Sequence, residues 1–291
     1  MSIGADTVCL ECFLRKNIAT ARAFGDEEKL TRFTKELMGL LAALPADKST
    51  TFIAPQVADL FDRYYGMGAD RFSEEKKQSN AFALERLDRA LTLAENAEDP
   101  VLAGIQMAIL GNYLDFSALQ GKVSFEELEK MLQDAMHMEL DGSVLAQLKE
   151  DLSKAKRLLY ITDNAGEIGF DRVLARQLAQ AYPDLAITFC VRGGPALNDA
   201  TREDAAEVGV EFPVIDNGTR FPGTELELLG AEAKQAVAEA DVIIAKGMAN
   251  VETMFGCGLN VYYAFLVKCI RFENLFHKPY MTPMLVSEQK R

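Results

Sequence analysis

Histidine is scarce in this chain, with two in 291 residues, His137 and His277. A mechanism built on a histidine base, or a zinc site rich in imidazole, is therefore disfavoured. Cysteine is sparse too: there are five, with no secretory leader ahead of them, so a disulfide framework is not expected. No apolar run is long enough to cross a bilayer. The best, VLAGIQMAILGNYL at 101–114, is short and carries Gln106 and Asn112. The opening residues MSIGADTVCLECF lack the basic and apolar segments of a signal peptide, which makes the cytoplasm the expected address. Also missing is any cluster of Lys and Arg. With a net charge of −13, the chain is a poor match for a nucleic-acid backbone, whose affinity comes largely from neutralised phosphates. There is no G-x-x-x-x-G-K-[ST] and no G-x-G-x-x-G after the first strand-like run, which disfavours an NTPase or a dinucleotide enzyme.

What is present is an ordinary globular composition, 49% apolar and 26% charged, in a chain long enough for two packed units. Residues 1–154 read as successive helices. Apolar positions recur at three- and four-residue spacing in LTRFTKELMGLLAAL, in FIAPQVADLFDRYY and in EEKKQSNAFALERLDRALTLAENAE. Residues 155–291 change character. The short runs RLLYIT, AITFCVR, VEFPVID, DVIIAK and VYYAFLV alternate with helical stretches such as FDRVLARQLAQAY. That alternation predicts an α/β fold: an all-helical subdomain over 1–154, then a Rossmann-like three-layer domain over 155–291 with a mostly parallel sheet.

Ligands of open α/β sheets bind beyond the carboxyl ends of the strands, beside helix N-termini. The unusual residues fall there repeatedly: TDNAGE at 162–167, RGGPALND at 192–199, DNGT at 216–219 and KGMANVE at 246–252. Asp163 and Asn164 offer adjacent hard oxygen donors suited to Mg²⁺, Mn²⁺ or a similar cation, although either also suits a helix cap. Asn198 and Asp199 form a second such pair, and Arg192 is placed to hold a phosphate by paired hydrogen bonds. Lys246 directly follows an apolar run and can balance phosphate charge, with Asn250 and Glu252 nearby. Asn112 and Asp115 sit in an otherwise apolar helical run and need partners, either in the cleft or in an internal polar network. Carboxylates, amides and two cations without histidine fit metal-assisted attack on a phosphate ester. The D-x-D motif of a haloacid-dehalogenase-like phosphatase is absent after the first strand.

DNAGEIGFD, RGGPALNDAT and DVIIAKGMANVETM, in that order, resemble the metal-dependent damage-control phosphatase family, domain of unknown function 89. GNYLDF at 111–116 and the N-terminal CLEC are similar to elements of its stand-alone prokaryotic branch, so the resemblance covers most of the chain. It implies a helical subdomain before a Rossmann-like domain and one divalent metal ion, Mn, Co, Ni or Mg. It also implies small phosphorylated metabolites, sugar phosphates among them, as substrates. Matched motif by motif, Asp163, Asn164 and Asp199 are the implied metal ligands. Asn198 and Lys246 are implied at the phosphate, with Glu167 and Asn250 nearby. Two other expectations stay open beside a phosphatase: a non-catalytic module that binds a phosphometabolite, and a thiol or metal-handling protein centred on Cys9 and Cys12. Neither nucleic acid nor membrane is an expected partner.

Overall fold

The computed structural model describes residues 3–68, 70–113 and 125–288. Its early helices start where short acidic side chains can cap them. Asp6 accepts a hydrogen bond from the Cys9 amide at the head of α1 (Thr7–Arg22), and Asp26 accepts one from Lys29 at the head of α2 (Glu27–Ala42). Helix α3 (Ala54–Tyr65) carries a proline in its first turn and ends at Gly66 in a left-handed conformation. Phe33 and Leu37 of α2 pack against Val57, Leu60 and Phe61 of α3 in a small core of their own.

The next helices lead towards the sheet. They are α4 (Ser73–Glu95), α5 (Pro100–Tyr113), α6 (Phe125–Ala135) and α7 (Gly142–Lys154). Helix α5 is apolar on every side, the mark of a helix with no solvent face. Ala103, Met107 and Leu110 pack with α4, while Val101, Ile105, Ala108 and Ile109 join the apolar cluster on the sheet.

Six strands form the sheet: β1 (Arg157–Ile161), β2 (Ala186–Val191), β3 (Val214–Asp216), β4 (Val242–Lys246), β5 (Val261–Leu266) and β6 (Pro283–Ser287). Their order is β3-β2-β1-β4-β5-β6, parallel throughout except for β6, which pairs antiparallel with β5. Because strand side chains alternate, Leu158 and Tyr160 of β1 face the cluster containing α5, α7 and α8 (Glu167–Ala181). Leu159 and Ile161 face the other cluster, with α10 (Ala231–Glu239), α11 (Gly247–Met254) and α12 (Ile270–Phe276). A further short helix, α9 (Arg202–Glu207), follows β2. This is the three-layer Rossmann-like α/β arrangement expected from the sequence. Strand β6 lies outside the five runs read as strands there. No helix among the described residues is long and apolar enough to cross a membrane.

Candidate active site

Strand order reverses direction at β1, whose neighbours are β2 on one side and β4 on the other. The loops leaving β1 and β4 therefore part at this point and leave a crevice at the carboxyl end of the sheet. Asp163 and Asn164 lie in the first loop and Lys246 ends the strand that leads to the second. The loop after β2 is tied to the loop after β1 by an isolated β-bridge between Asn164 and Asp199. Ala200 N–H donates to the Asp163 carbonyl at 2.8 Å and Ala165 N–H to the Asn198 carbonyl at 2.9 Å. Two loops from different strands are thereby locked so that Asp163, Asn164 and Asp199 form one group.

Side-chain bonds fix how these residues face. Oδ2 of Asp163 accepts from the Asn112 amide at 3.2 Å and from the Asn164 amide at 3.1 Å. Both amides also donate to Oε1 of Glu167, the first residue of α8. Asp199 accepts from Nε of Arg192 through Oδ2 at 2.6 Å. Oδ1 of Asp163, of Asn164 and of Asp199 is left without a hydrogen-bond partner among the described residues. Gly247 makes the crowding possible. A Cβ there would stand 1.9 Å from Oδ2 of Asp163, and its φ of +75° is one that side chains rarely adopt.

The cations take positions that spacing alone does not give. Nζ of Lys246, fully buried, donates to Asp171 at 2.7 Å and to the Ala108 carbonyl at 2.7 Å, with Glu167 at 3.4 Å. Tyr160 donates to the same Asp171 oxygen at 2.8 Å. Arg192 is also buried; besides Asp199, its guanidinium reaches Thr224, the Thr162 carbonyl and Asn250. Asn250 donates to the Thr162 and Lys246 carbonyls, stitching the β1 and β4 loops together from below. Gly193 has no room for a side chain because the Thr219 amide and Gly218 press against it, so its close approach is to the protein's own backbone.

Electrostatics follow from this packing. Burial, together with the charges of Glu167 and Asp199, pushes the Asp163 carboxyl well above the usual range, with Arg192 and Lys268 pulling it back. Burial raises Asp199 too, against the pull of Arg192. Asp171 is pushed up to about 6 by burial, and Lys246 opposes the shift. For Lys246, burial alone would lower the ammonium, but Asp171 and Glu167 outweigh it and raise it.

Asp163, Asn164 and Asp199 open onto a cleft of about 470 Å³, together with Asn112 and Asn198. Its far wall is built from the helical half, with Phe13 and Lys16 of α1, Thr51, and Arg71 and Phe72. A larger groove of about 730 Å³, beside Lys77 and Arg202, borders none of the three donors. The cleft is therefore the candidate site. Sequence reasoning missed Lys268, just past β5, which lines the cleft and whose charge acts on Asp163, and it gave no role to Arg71 or to Glu252 on the wall. Asp115 lies outside the described residues.

The donor set suits a hard divalent cation: two carboxylates and an amide, all oxygen, with unpartnered Oδ1 atoms. Asp163, Glu167, Asp171 and Asp199 are four buried carboxylates set against two buried cations, Arg192 and Lys246. A divalent ion would balance that excess. No cluster of three His, Cys, Asp or Glu side chains able to hold a metal occurs among the described residues, so the amide is needed to complete the set.

A family model, the damage-control phosphatase ARMT1-like domain, matches residues 5–278. The chain belongs to this family. It is 32% identical over 270 residues to a damage-control phosphatase of Archaeoglobus fulgidus, covering 90% of this chain and 91% of that one. A damage-control phosphatase of Pyrococcus horikoshii is 40% identical over 153 residues, 52% of each chain. The crystal structure of a domain-of-unknown-function-89 protein from Pyrococcus horikoshii superimposes with a TM-score of 0.80 at 27% identity. That match covers 98% of this chain and 99% of the other, so the damage-control phosphatase fold extends over the helical half as well.

Proposed function

We propose that this protein is a divalent-metal-dependent phosphatase that hydrolyses phosphate esters of small metabolites, sugar phosphates or related side products among them. Family membership supports a phosphatase. The observation that carries the metal dependence is the trio of unpartnered Oδ1 atoms on Asp163, Asn164 and Asp199 at the floor of the cleft. These three residues would hold the ion, and Mg²⁺, Mn²⁺, Co²⁺ and Ni²⁺ all accept such donors. When bound, the ion polarises phosphoryl oxygens and acidifies a water.

The chain's own residues do the rest. Arg192 holds Asp199 in place, and the Asn112 amide holds Asp163 and Glu167 together. Lys246 offsets part of the charge of Asp171 and Glu167 beneath the floor. In this reading Arg192, Lys246 and Asn250 position the ligands instead of touching phosphate, and Lys268 and Asn198 supply the polar groups that face the ester. Water attacks phosphorus, the ester oxygen leaves with a proton, and the products are an alcohol and inorganic phosphate.

The test is phosphate release from a panel of sugar phosphates and an aryl phosphate, using chelator-stripped protein supplied with each metal singly. Asp163→Ala should lower metal-dependent release by more than about a hundredfold, the upper range for disturbed metal sites. Full activity in a folded Asp163→Ala variant, or silence with every metal, would overturn the proposal; ligand-induced thermal stabilisation without release would instead favour the binding module. No observation favours thiol chemistry. All five cysteines are free, burial raises the Cys9 thiol, and its Sγ sits 3.1 Å from Arg271.

A further inference from the structure

Arg71 lies between α3 and α4 and borders the same cleft as Asp163, Asn164 and Asp199. Its guanidinium carbon sits 4.5 Å from the centre of the Phe61 ring and 5.0 Å from that of Phe72. Two ring faces fix the orientation of a flat cation, but they do not neutralise it. Nη1 is shielded from solvent and has no hydrogen-bond partner among the described residues. Burial lowers the basicity of this guanidinium, and Glu75 offsets that only in part. A partly desolvated guanidinium with one nitrogen left unbonded is a costly arrangement, and an anion arriving through the cleft would reduce the cost. The planar fork of arginine suits a phosphate or a carboxylate, each able to accept two parallel hydrogen bonds. Lys16 on α1 borders the same space and adds positive charge to that wall. With the ester phosphate at the floor beside Asp163 and Asp199, as proposed above, Arg71 on the opposite, helical wall is assigned to a second anionic group of the same molecule.

We propose that Arg71 is a specificity residue that recognises a second anionic group on the substrate, so that preferred substrates are phosphate esters bearing a further phosphate or a carboxylate. This rests on the phosphatase reading of the cleft floor.

Matched compounds test it: a sugar bisphosphate against the corresponding monophosphate, and a phosphorylated hydroxy acid against the same ester lacking the carboxylate. Wild-type protein should favour the doubly anionic member in kcat/KM for one or both pairs, and the pair showing the preference identifies the second anion. Arg71→Gln should erase that preference by about tenfold or more, chiefly through KM, the scale of a lost charge-assisted hydrogen bond. Release from an aryl phosphate should stay within about twofold. Arg71→Lys keeps the charge without the fork and should recover part of the preference, which also guards against a Gln variant that fails to fold. Equal losses on singly and doubly anionic esters, or no change on either, would overturn the proposal. If no metal supports release, calorimetric titration of the Mg²⁺-supplemented protein with the same sugar bisphosphate decides. Binding weakened about tenfold by Arg71→Gln keeps the anion site while the phosphatase reading falls. Binding unchanged by the substitution, or absent from the wild type, rejects the anion site as well.

Discussion

Gly247 and Asp163 show how little freedom a single atom has at this site. An added Cβ would overlap the Asp163 carboxylate, and the left-handed φ of Gly247 would strain any replacement. Gly247→Ala is expected to displace Asp163 and lower metal-dependent phosphate release by about a hundredfold, the usual effect of ångström-scale misplacement. Steady-state kinetics on folded protein would show it, and near-normal rates would contradict the geometry. Glu252, half-buried on α11 at the cleft wall, permits a pH prediction. Burial pushes its carboxyl from the ordinary 4.5 up to about 7, against the opposing hydrogen bond of Ser49 and charge of Arg271. The folded state thus holds this proton more tightly than the unfolded chain. Its contribution to stability is full below pH 4.5 and is lost as pH rises through about 7. Melting temperatures of metal-stripped protein should fall less across that window in Glu252→Gln than in wild type; parallel curves would discard the assignment. At this scale the acids were legible, because Asp163 and Asp199 sit in motifs at strand ends. Arg192 and Lys246 were legible as candidates at strand ends, whereas their burial against Asp199 and against Asp171 was not. Whether a cation at a strand end faces ligand or interior is decided by burial, which spacing does not encode. Lys268 and Arg71 belong to none of the three motifs and become visible only when the cleft is formed.

Helix α4 illustrates what an entire element contributes. Its Asn80 accepts from the Gly166 amide at 2.7 Å and donates to Asp204 at 3.0 Å and to Glu207 at 2.6 Å, while Lys76 pairs with Asp204 at 2.6 Å. A helix from the first half therefore holds the turn that carries Asp163 and Asn164. Asn80→Ala leaves the buried Gly166 amide and Asp204 with fewer partners and should cost about 1–3 kcal/mol in urea unfolding. It should also weaken metal binding, measured by titration calorimetry. If stability falls while metal affinity is untouched, Asn80 is structural and nothing more. The helices of the first half were legible because their apolar periods are long and regular. For α5, the demand that Asn112 find partners was legible, and those partners are Asp163 and Glu167. Strand β6 escaped notice because it is a five-residue antiparallel edge opening on Pro283, too short to announce itself against its turn-rich surroundings.

The sheet order and the reversal at β1 explain, for the molecule as a whole, why three motifs far apart in sequence meet in one crevice. The β-α alternation after residue 154 announced that architecture. What it could not announce is the shared interior. Ile105, Ile109, Leu148 and Leu152 of α5 and α7 lie in the same apolar cluster as Tyr160, Phe189 and Tyr262 of the sheet. We therefore propose the division between 1–154 and 155–291 as one of architecture, not of independent folding. Urea unfolding followed by far-ultraviolet circular dichroism and by the fluorescence of the eight tyrosines, in a chain without tryptophan, should give coincident transitions. Two separated transitions would show independent units. The sheet's borders have a bearing on how the protein behaves in crowded solution. One border is a strand of three residues, Val214–Asp216, and the other a strand of five headed by a proline. Neither offers a long, flat ladder on which another chain can zip up, so the parallel sheet, slow to assemble during folding, presents little template for amyloid-like growth once it is complete.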